Sequence, residues 1–293
     1  MESAEIQKVI EHLDRHRPKE RTLATVRAYL EAMVSMEPAP PEVSAEPLVV
    51  GGVPAERLTT PGADTTRTLL YLHGGGYALG SPLAYRPFAG RIARAFAGAV
   101  VVVDYRLAPE HPFPAGLEDA IAATRALLRT VGPTRLVVGG DSAGGGLALA
   151  TLISLRDAGE ELPAAAALLS PWVDLEGTGD SMQSRAALDP VVTREGMVNL
   201  AQMYLGDRSR REPLASPTYA KLERLPPMLV QLGTRELQYD DVMAFTLKLR
   251  SAGVAVDVEV WEGMLHVFQM FPVLADSARA IDRIGAYLRS RIS

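Results

Sequence analysis

Short apolar runs alternate with longer stretches of helical periodicity through most of this chain. Runs at 48–53, 69–72, 99–103, 136–138, 165–169, 228–232 and 254–260 read as strands, and stretches at 85–96, 117–129, 145–156, 237–252 and 274–289 read as helices. Alternation of this kind predicts an α/β fold, with a mostly parallel central sheet flanked by helices on both faces. Two segments stand outside it. Residues 1–36 read as two helical segments; the second, 22–36, carries Leu23, Val26, Tyr29, Leu30, Met33 and Val34 on one apolar face, and Pro38, Pro40 and Pro41 then break the chain. Residues 176–211 interrupt the alternation between the strand ending at Ser170-Pro171-Trp172 and the strand at Met228. They hold a helix over about 193–205, with Met197, Leu200, Ala201 and Tyr204 on one side and Gly206 as its stop. An insertion at that end of a sheet lies over the face where a site forms, so a helical cap is expected. The division that follows is 1–45 as the N-terminal part of the cap, 46–175 as the first part of the core, 176–212 as the cap insertion and 213–293 as the second part of the core.

The run at 136–138 ends in Gly139-Gly140-Asp141-Ser142-Ala143-Gly144, and a small-residue helical stretch follows. This is Gly-x-Ser-x-Gly in the strand–turn–helix context it needs. A serine at the tip of so sharp a turn is strained, and side chains at the flanking positions would clash. The turn points the Ser142 hydroxyl out of the sheet and leaves the amide of Ala143 at a helix start, where partial positive charge favours an oxyanion. A second cluster, His73-Gly74-Gly75-Gly76, follows the strand at 69–72 directly. Consecutive glycines cost backbone entropy, and one return is close approach of amides to a ligand. In acyl transfer such donors stabilise the carbonyl oxygen as it becomes negative, each by roughly 3 kcal/mol of barrier. Gly74, Gly75 or Gly76, with Ala143, is therefore the expected oxyanion hole, and His73 is expected to brace the glycine loop.

With both motifs in place, the order of an α/β-hydrolase applies: serine, then acid, then histidine. Of the five histidines, His12, His16, His73, His111 and His266, only His266 lies downstream of Ser142. It follows the strand at 254–260 by a short loop containing Gly263, where a base belongs. The acid must lie between Ser142 and His266, beside the end of the preceding strand. Glu236, in Gly233-Thr234-Arg235-Glu236, is favoured; Asp240 and Asp241 are the alternatives, expected to face solvent near a helix start. Asp257 and Glu259 alternate with valines and read as the polar face of a strand. In the resulting trio Ser142 attacks, His266 takes and returns the proton, and Glu236 holds the imidazole tautomer.

These residues closely resemble the hormone-sensitive-lipase-like family of bacterial carboxylesterases. The family's His-Gly-Gly-Gly motif matches His73 to Gly76, its Gly-Asp-Ser-Ala-Gly-Gly motif matches Gly140 to Gly145, and Asp104-Tyr105-Arg106-Leu107-Ala108-Pro109-Glu110 is similar to it as well. The resemblance runs from about residue 65 to the C-terminus. It implies an α/β-hydrolase fold, hydrolysis of short- to medium-chain carboxylic esters and no cofactor. The chain departs from the family's common Asp-Pro-Leu-x-Asp acid signature: Glu236-Leu237-Gln238-Tyr239-Asp240 stands in register with it, so glutamate replaces aspartate and the proline is missing.

Composition narrows the alternatives. A net charge of −5 over 293 residues argues against a nucleic-acid partner. With no cysteine there is no disulfide and no thiolate nucleophile, and no metal site is expected. No window has the length of a membrane span, and the acidic start at Met1-Glu2-Ser3-Ala4-Glu5 lacks the apolar core of a signal peptide, so the cytoplasm is the expected compartment. The expected partner is a small-molecule ester, and the sequence leaves a homodimer open. Two competing functions keep the same fold: a pseudo-hydrolase that binds without turnover, disfavoured by the joint presence of Ser142 and His266, and an amidase or peptidase using the same serine.

Overall fold

The apolar runs assemble into one eight-stranded sheet in the order β1-β2-β4-β3-β5-β6-β7-β8. In this computed structural model residues 4–20, 22–34 and 36–292 are described; Met1, Glu2, Ser3, Arg21, Ser35 and Ser293 lie outside the described residues, and with them the start of the chain and Ser35 of the second helical segment. The strands are β1 Ser44–Val50, β2 Val53–Thr59, β3 Asp64–Leu72, β4 Gly98–Val103, β5 Leu136–Asp141, β6 Ala165–Leu169, β7 Met228–Gly233 and β8 Val256–Trp261. The helices are α1 Ala4–His16, α2 Leu23–Val34, α3 Pro82–Phe96, α4 Ala115–Val131, α5 Ala143–Asp157, the single turn α6 Ser181–Ser184, α7 Arg194–Leu205, α8 Tyr239–Ser251 and α9 Ala275–Arg291.

From β4 to β8 every neighbouring pair is parallel, and β2 runs antiparallel to both β1 and β4. The sequence reading missed one strand. Residues 48–53, expected as a single run, fold back at Gly51-Gly52, whose φ values of 62° and 86° make a tight hairpin turn pairing Val50 with Val53. A Gly-Gly pair between β-prone segments is a known hairpin signal. The acid loop also differs: α8 starts at Tyr239, so Leu237 and Gln238 are loop rather than helix.

Alternate residues of each strand enter different layers. Leu70, Leu72, Val138, Leu168 and Val230 face α4, α5 and α8, meeting Leu117, Leu147 and Phe245. Leu69, Tyr71, Val137, Leu169 and Leu229 face α3 and α9, meeting Phe88, Ile92, Ile281 and Ile284. Each large side chain so buried contributes about 1.5–3 kcal/mol. Helix α3 begins at Pro82, where a missing amide costs nothing, behind Ser81 as a side-chain cap. Helix α2 lies across both layers: Met33 and Val34 pack in the second, Leu23, Val26 and Leu30 against the first. Arg27 pins it, donating from Nε to the Ala78 carbonyl at 2.9 Å and pairing with Glu110 at 2.7 Å.

The register aligns the carboxyl ends of five strands. Leu72 stands beside Gly140, Asp141 beside Leu169, Leu169 beside Gln231, and Gly233 beside Trp261. The loops carrying residues 73–76, 142, 170, 236 and 266 therefore emerge along one edge of the sheet.

The tightest point of this edge is Gly144. A Cβ there would run into the carbonyl oxygens of Leu72 and His73, both main chain and unable to swing aside. Gly144→Ala is expected to cost about 2 kcal/mol or more and to lower the thermal midpoint, measured by calorimetry; an unchanged midpoint would mean that this contact bears little of the fold's stability.

Candidate active site

Ser142 sits between β5 and α5 with φ 51° and ψ −120°, a conformation that costs a non-glycine residue about 1–3 kcal/mol. Main-chain bonds hold it there. Its N–H donates to Leu169 O at 2.8 Å, and its carbonyl accepts from Trp172 N at 2.8 Å and Gly146 N at 3.1 Å. Because α5 starts at Ala143, the amide of Ala143 has no intrahelical acceptor.

The glycine loop is braced from below by two buried side chains. Asp141 Oδ1 accepts from the Tyr71 hydroxyl at 2.8 Å and from Gly74 N–H at 3.1 Å, and Oδ2 accepts from the Tyr85 hydroxyl at 3.0 Å. Burial pushes the Asp141 carboxyl up to about 6, against the pull of those donors. His73 is fully buried; its Nδ1 lies 2.8 Å from Gly74 O and its ring stacks on Tyr105 at 4.4 Å. Burial lowers its pKa to about 4, so it stays neutral in a structural place, as expected of it. The Gly74 amide is thus spent on Asp141. The amides of Gly75, Gly76 and Ala143 make no hydrogen bond among the described residues.

Glu236 and His266 come together from the loops after β7 and β8. His266 Nδ1 lies 3.2 Å from Glu236 Oε2, with the carboxylate fully buried and the histidine 3% exposed. Burial alone would lower the His266 pKa. The hydrogen bond and charge of Glu236, followed by the charges of Asp189 and Asp141, outweigh it and raise the pKa above 6.5. Ser142 Oγ makes no hydrogen bond to His266; both residues line one cavity. Nucleophile–base contacts commonly tighten only when substrate binds.

Two residues that the sequence reading did not single out complete this group. Ser170, with φ 46° at the end of β6, donates from Oγ to Glu236 Oε1 at 2.7 Å and accepts from Val267 N–H at 3.1 Å. It joins the acid loop to the histidine loop. Gln238 Nε2 donates to Ser170 O at 3.2 Å and lies 3.2 Å from His266 Nδ1. No local signal marks either residue. The alternatives to Glu236 do other work and do not simply face solvent: Asp240 accepts from Ser181 N–H and Asp241 from Gly179 N–H, each at 2.7 Å. Of the other histidines, His12 and His16 lie on α1 and His111 in an exposed loop. Asp257 and Glu259 pair with Arg291 and Arg283 along the outer face of β8.

Above Ser142 lies a cavity of about 260 Å³ with a mostly apolar wall. Its floor is Gly75, Gly76 and Trp172, and α2 and α7 form its roof. Leu30 of α2 packs on Gly75 and Leu200 of α7 on Gly76, so closely that a Cβ on either glycine would meet them at 2.9 and 2.5 Å. Tyr204 anchors α7 by stacking on Tyr77 at 3.9 Å.

The sequence matches the family of the alpha/beta hydrolase fold over residues 69–270. An acetyl-hydrolase of Streptomyces hygroscopicus is 45% identical over 232 residues, 78% of either chain. An esterase of Acinetobacter venetianus is 33% identical over 258 residues, 87% of this chain and 85% of that one. The crystal structure of an esterase from the bacterial hormone-sensitive lipase family superposes over the whole of both chains with a TM-score of 0.96 at 46% identity.

Removing the Ser170 hydroxyl leaves the buried Val267 amide without its acceptor and takes one of two donors from the buried Glu236 Oε1. Ser170→Ala is expected to lose about 1–3 kcal/mol in urea unfolding, and wild-type stability in that variant would mean that the bridge between the two loops is energetically idle.

Proposed function

The chain belongs to the alpha/beta hydrolase family and is a carboxylic ester hydrolase, and from that premise we propose that Ser142, His266 and Glu236 carry the reaction through an acyl-enzyme. The carrying observation is the pairing of His266 Nδ1 with Glu236 at 3.2 Å beside a cavity that also holds Ser142. With Nδ1–H donated to Glu236, the other ring nitrogen is left as the base. Ser142 Oγ attacks the ester carbonyl carbon while its proton passes to His266, and the carbonyl oxygen takes up negative charge facing the free amides of Gly75, Gly76 and Ala143. Collapse of this intermediate expels the alcohol, which receives the proton from His266. Water then attacks the acyl-enzyme by the same base and releases the acid. Glu236 holds the tautomer and stabilises the imidazolium that forms in each half.

Segments 1–45 and 176–212 act in this proposal as a cap over a core of 46–175 and 213–293. Leu30 and Leu200 resting on the glycine loop support it, and so does the apolar cavity between α2, α7 and Ser142. A cavity of about 260 Å³ enclosed in this way suits short- to medium-chain acyl groups. No described helix is long and apolar enough to cross a membrane.

A panel of p-nitrophenyl acyl esters of increasing chain length tests the reading. Ser142→Ala and His266→Ala are each expected to lose about three orders of magnitude or more in kcat, and a Ser142→Ala variant that kept its activity would remove the nucleophile. The pH dependence has a defined sign. His266 must be neutral to accept the proton, and its pKa is raised by Glu236, Asp189 and Asp141 against the opposing effect of burial. The acidic limb of kcat/KM is therefore expected above the ordinary histidine value of 6.5, read from stopped-time assays across the pH range; a midpoint below it would contradict the net effect of these carboxylates.

A further inference from the structure

The segment between α6 and α7 sends one carboxylate down beside the acid loop. Asp189 is 6% exposed. Its Oδ2 accepts from Leu237 N–H at 3.1 Å, the amide next after Glu236, and its Oδ1 accepts from Val191 N–H at 3.0 Å and Val192 N–H at 3.2 Å. The residues on either side of it are tied as well. Arg235 Nε donates to Leu188 O at 3.0 Å, and Arg17 Nη2 donates to Pro190 O at 3.1 Å. A ladder of hydrogen bonds thus runs from the end of α1, through residues 188–190 of the insertion, into the loop that holds Glu236.

We propose that Asp189 is a positioning residue of the insertion, which sets the acid loop through Leu237 N–H and adds a second negative charge toward the His266 imidazole. The inference rests on the Ser142–His266–Glu236 reading. Geometry gives two reasons. The Glu236 loop is short and irregular, held within itself by Glu236 N–H to Gly233 O at 3.4 Å, Tyr239 N–H to Glu236 O at 3.2 Å and Gly233 N–H to Glu236 Oε1. Leu237 N–H is the next amide along, and its acceptor comes from a segment 48 residues away. Fixing that amide restricts the peptide that carries the Glu236 side chain. The second reason is charge. Three carboxylates act on His266 by their charge, Glu236 from the β7 loop, Asp189 from the insertion and Asp141 from the end of β5, and of these Glu236 is in contact with the ring, as is the neutral amide of Gln238. Burial raises the pKa of Asp189, and its attraction to His266, the Leu237 and Val191 amides pull the other way while Glu236 opposes them. When His266 takes the serine proton, a charged Asp189 shares with Glu236 the stabilisation of the imidazolium. The consequence is that a base on the core is tuned by a side chain of the insertion, so insertion and triad are assembled together.

Asp189→Asn keeps the shape and removes the charge, with one acceptor oxygen left where Asp189 offers two; Asp189→Ala removes the charge and both acceptors. In the full chain with p-nitrophenyl butyrate, the acidic limb of kcat/KM is expected to move to lower pH by about half a unit in both variants. The Ala variant is also expected to lose about tenfold or more in kcat with KM little changed, since the acid loop loses its tie. A purely structural role would lower the melting temperature and leave the limb in place. A limb that stays at the wild-type pH or rises in Asp189→Asn, with Ser142→Ala inactive, overturns the inference and leaves the triad standing. An active Ser142→Ala overturns the triad reading itself, whichever way the Asp189 limb moves. Should Asp189→Ala fail to fold, the limb of Asp189→Asn decides alone.

Discussion

The contact on which this site depends is main chain against main chain: the carbonyl oxygens of Leu72 and His73, at the end of β3, press on the Cα of Gly144 in the first turn of α5. That approach sets the loop after β3 and the turn after β5 side by side, as the proposed reaction requires. The amide of Ala143 comes from one of them and those of Gly75 and Gly76 from the other. Preorganised donors act only if they are already aimed when charge develops. A methyl group between the two segments would push them apart, and no side-chain adjustment could recover the aim. The strain at Ser142 belongs to the same arrangement. Its left-handed φ is held by bonds to Leu169, Trp172 and Gly146, so the surrounding sheet over-determines a conformation that serine would not adopt alone.

Two histidines in this site show how environment divides one chemistry into two roles. His73 and His266 are both buried. His73 meets a carbonyl and an aromatic face, and burial takes its pKa down to about 4. His266 meets Glu236 at 3.2 Å with two further carboxylates beyond, and its pKa rises despite equal burial. One ring is held neutral, and the other is shifted toward its protonated form, which suits the base of the proposed reaction. The carboxylates are divided in a similar way. Asp141 spends its oxygens on Tyr71, Tyr85 and Gly74 and so shapes the glycine loop, whereas Glu236, held by Ser170 and by Gly233 N–H, keeps one oxygen for the imidazole.

The roof over Ser142 is made from two helices far apart in the chain. Helix α2 reaches the glycine loop through Leu30 and is pinned to it by Arg27, while α7 reaches it through Leu200 and the stacking of Tyr204 on Tyr77. Both helices also bury apolar residues in the core, Met33 and Val34 of α2 in the layer of α3 and α9, and Met197, Ala201, Tyr204 and Leu205 of α7 in the layer of α4, α5 and α8. The start of α6 adds polar ties, since Asp240 and Asp241 of α8 accept from the amides of Ser181 and Gly179. The missing proline at Leu237 acquires a reason here. A proline has no amide to donate, and the Leu237 amide is the one that Asp189 accepts.

What could be read without coordinates was what local physics dictates. Gly140-Asp141-Ser142-Ala143-Gly144 and His73-Gly74-Gly75-Gly76 are legible because the backbone constraint and the residues that satisfy it are neighbours in sequence. His266, the proposed base, was singled out by elimination, and the alternation of apolar runs and helices specified the layered sheet, short of the hairpin at Gly51-Gly52. The alternatives left open for the acid, and the choice among the glycine amides, turned on contacts between segments distant in the chain. Ser170 meets Val267 across 97 residues and Glu236 across 66, Asp141 meets Gly74 across 67, and Asp189 meets Leu237 across 48. A lone serine, aspartate or glutamine carries no periodicity or turn signature that announces such a partner. Only the parallel register of β3, β5, β6, β7 and β8 puts those loops on one edge, and only there does burial turn ordinary hydroxyl and carboxylate groups into a connected, charged site.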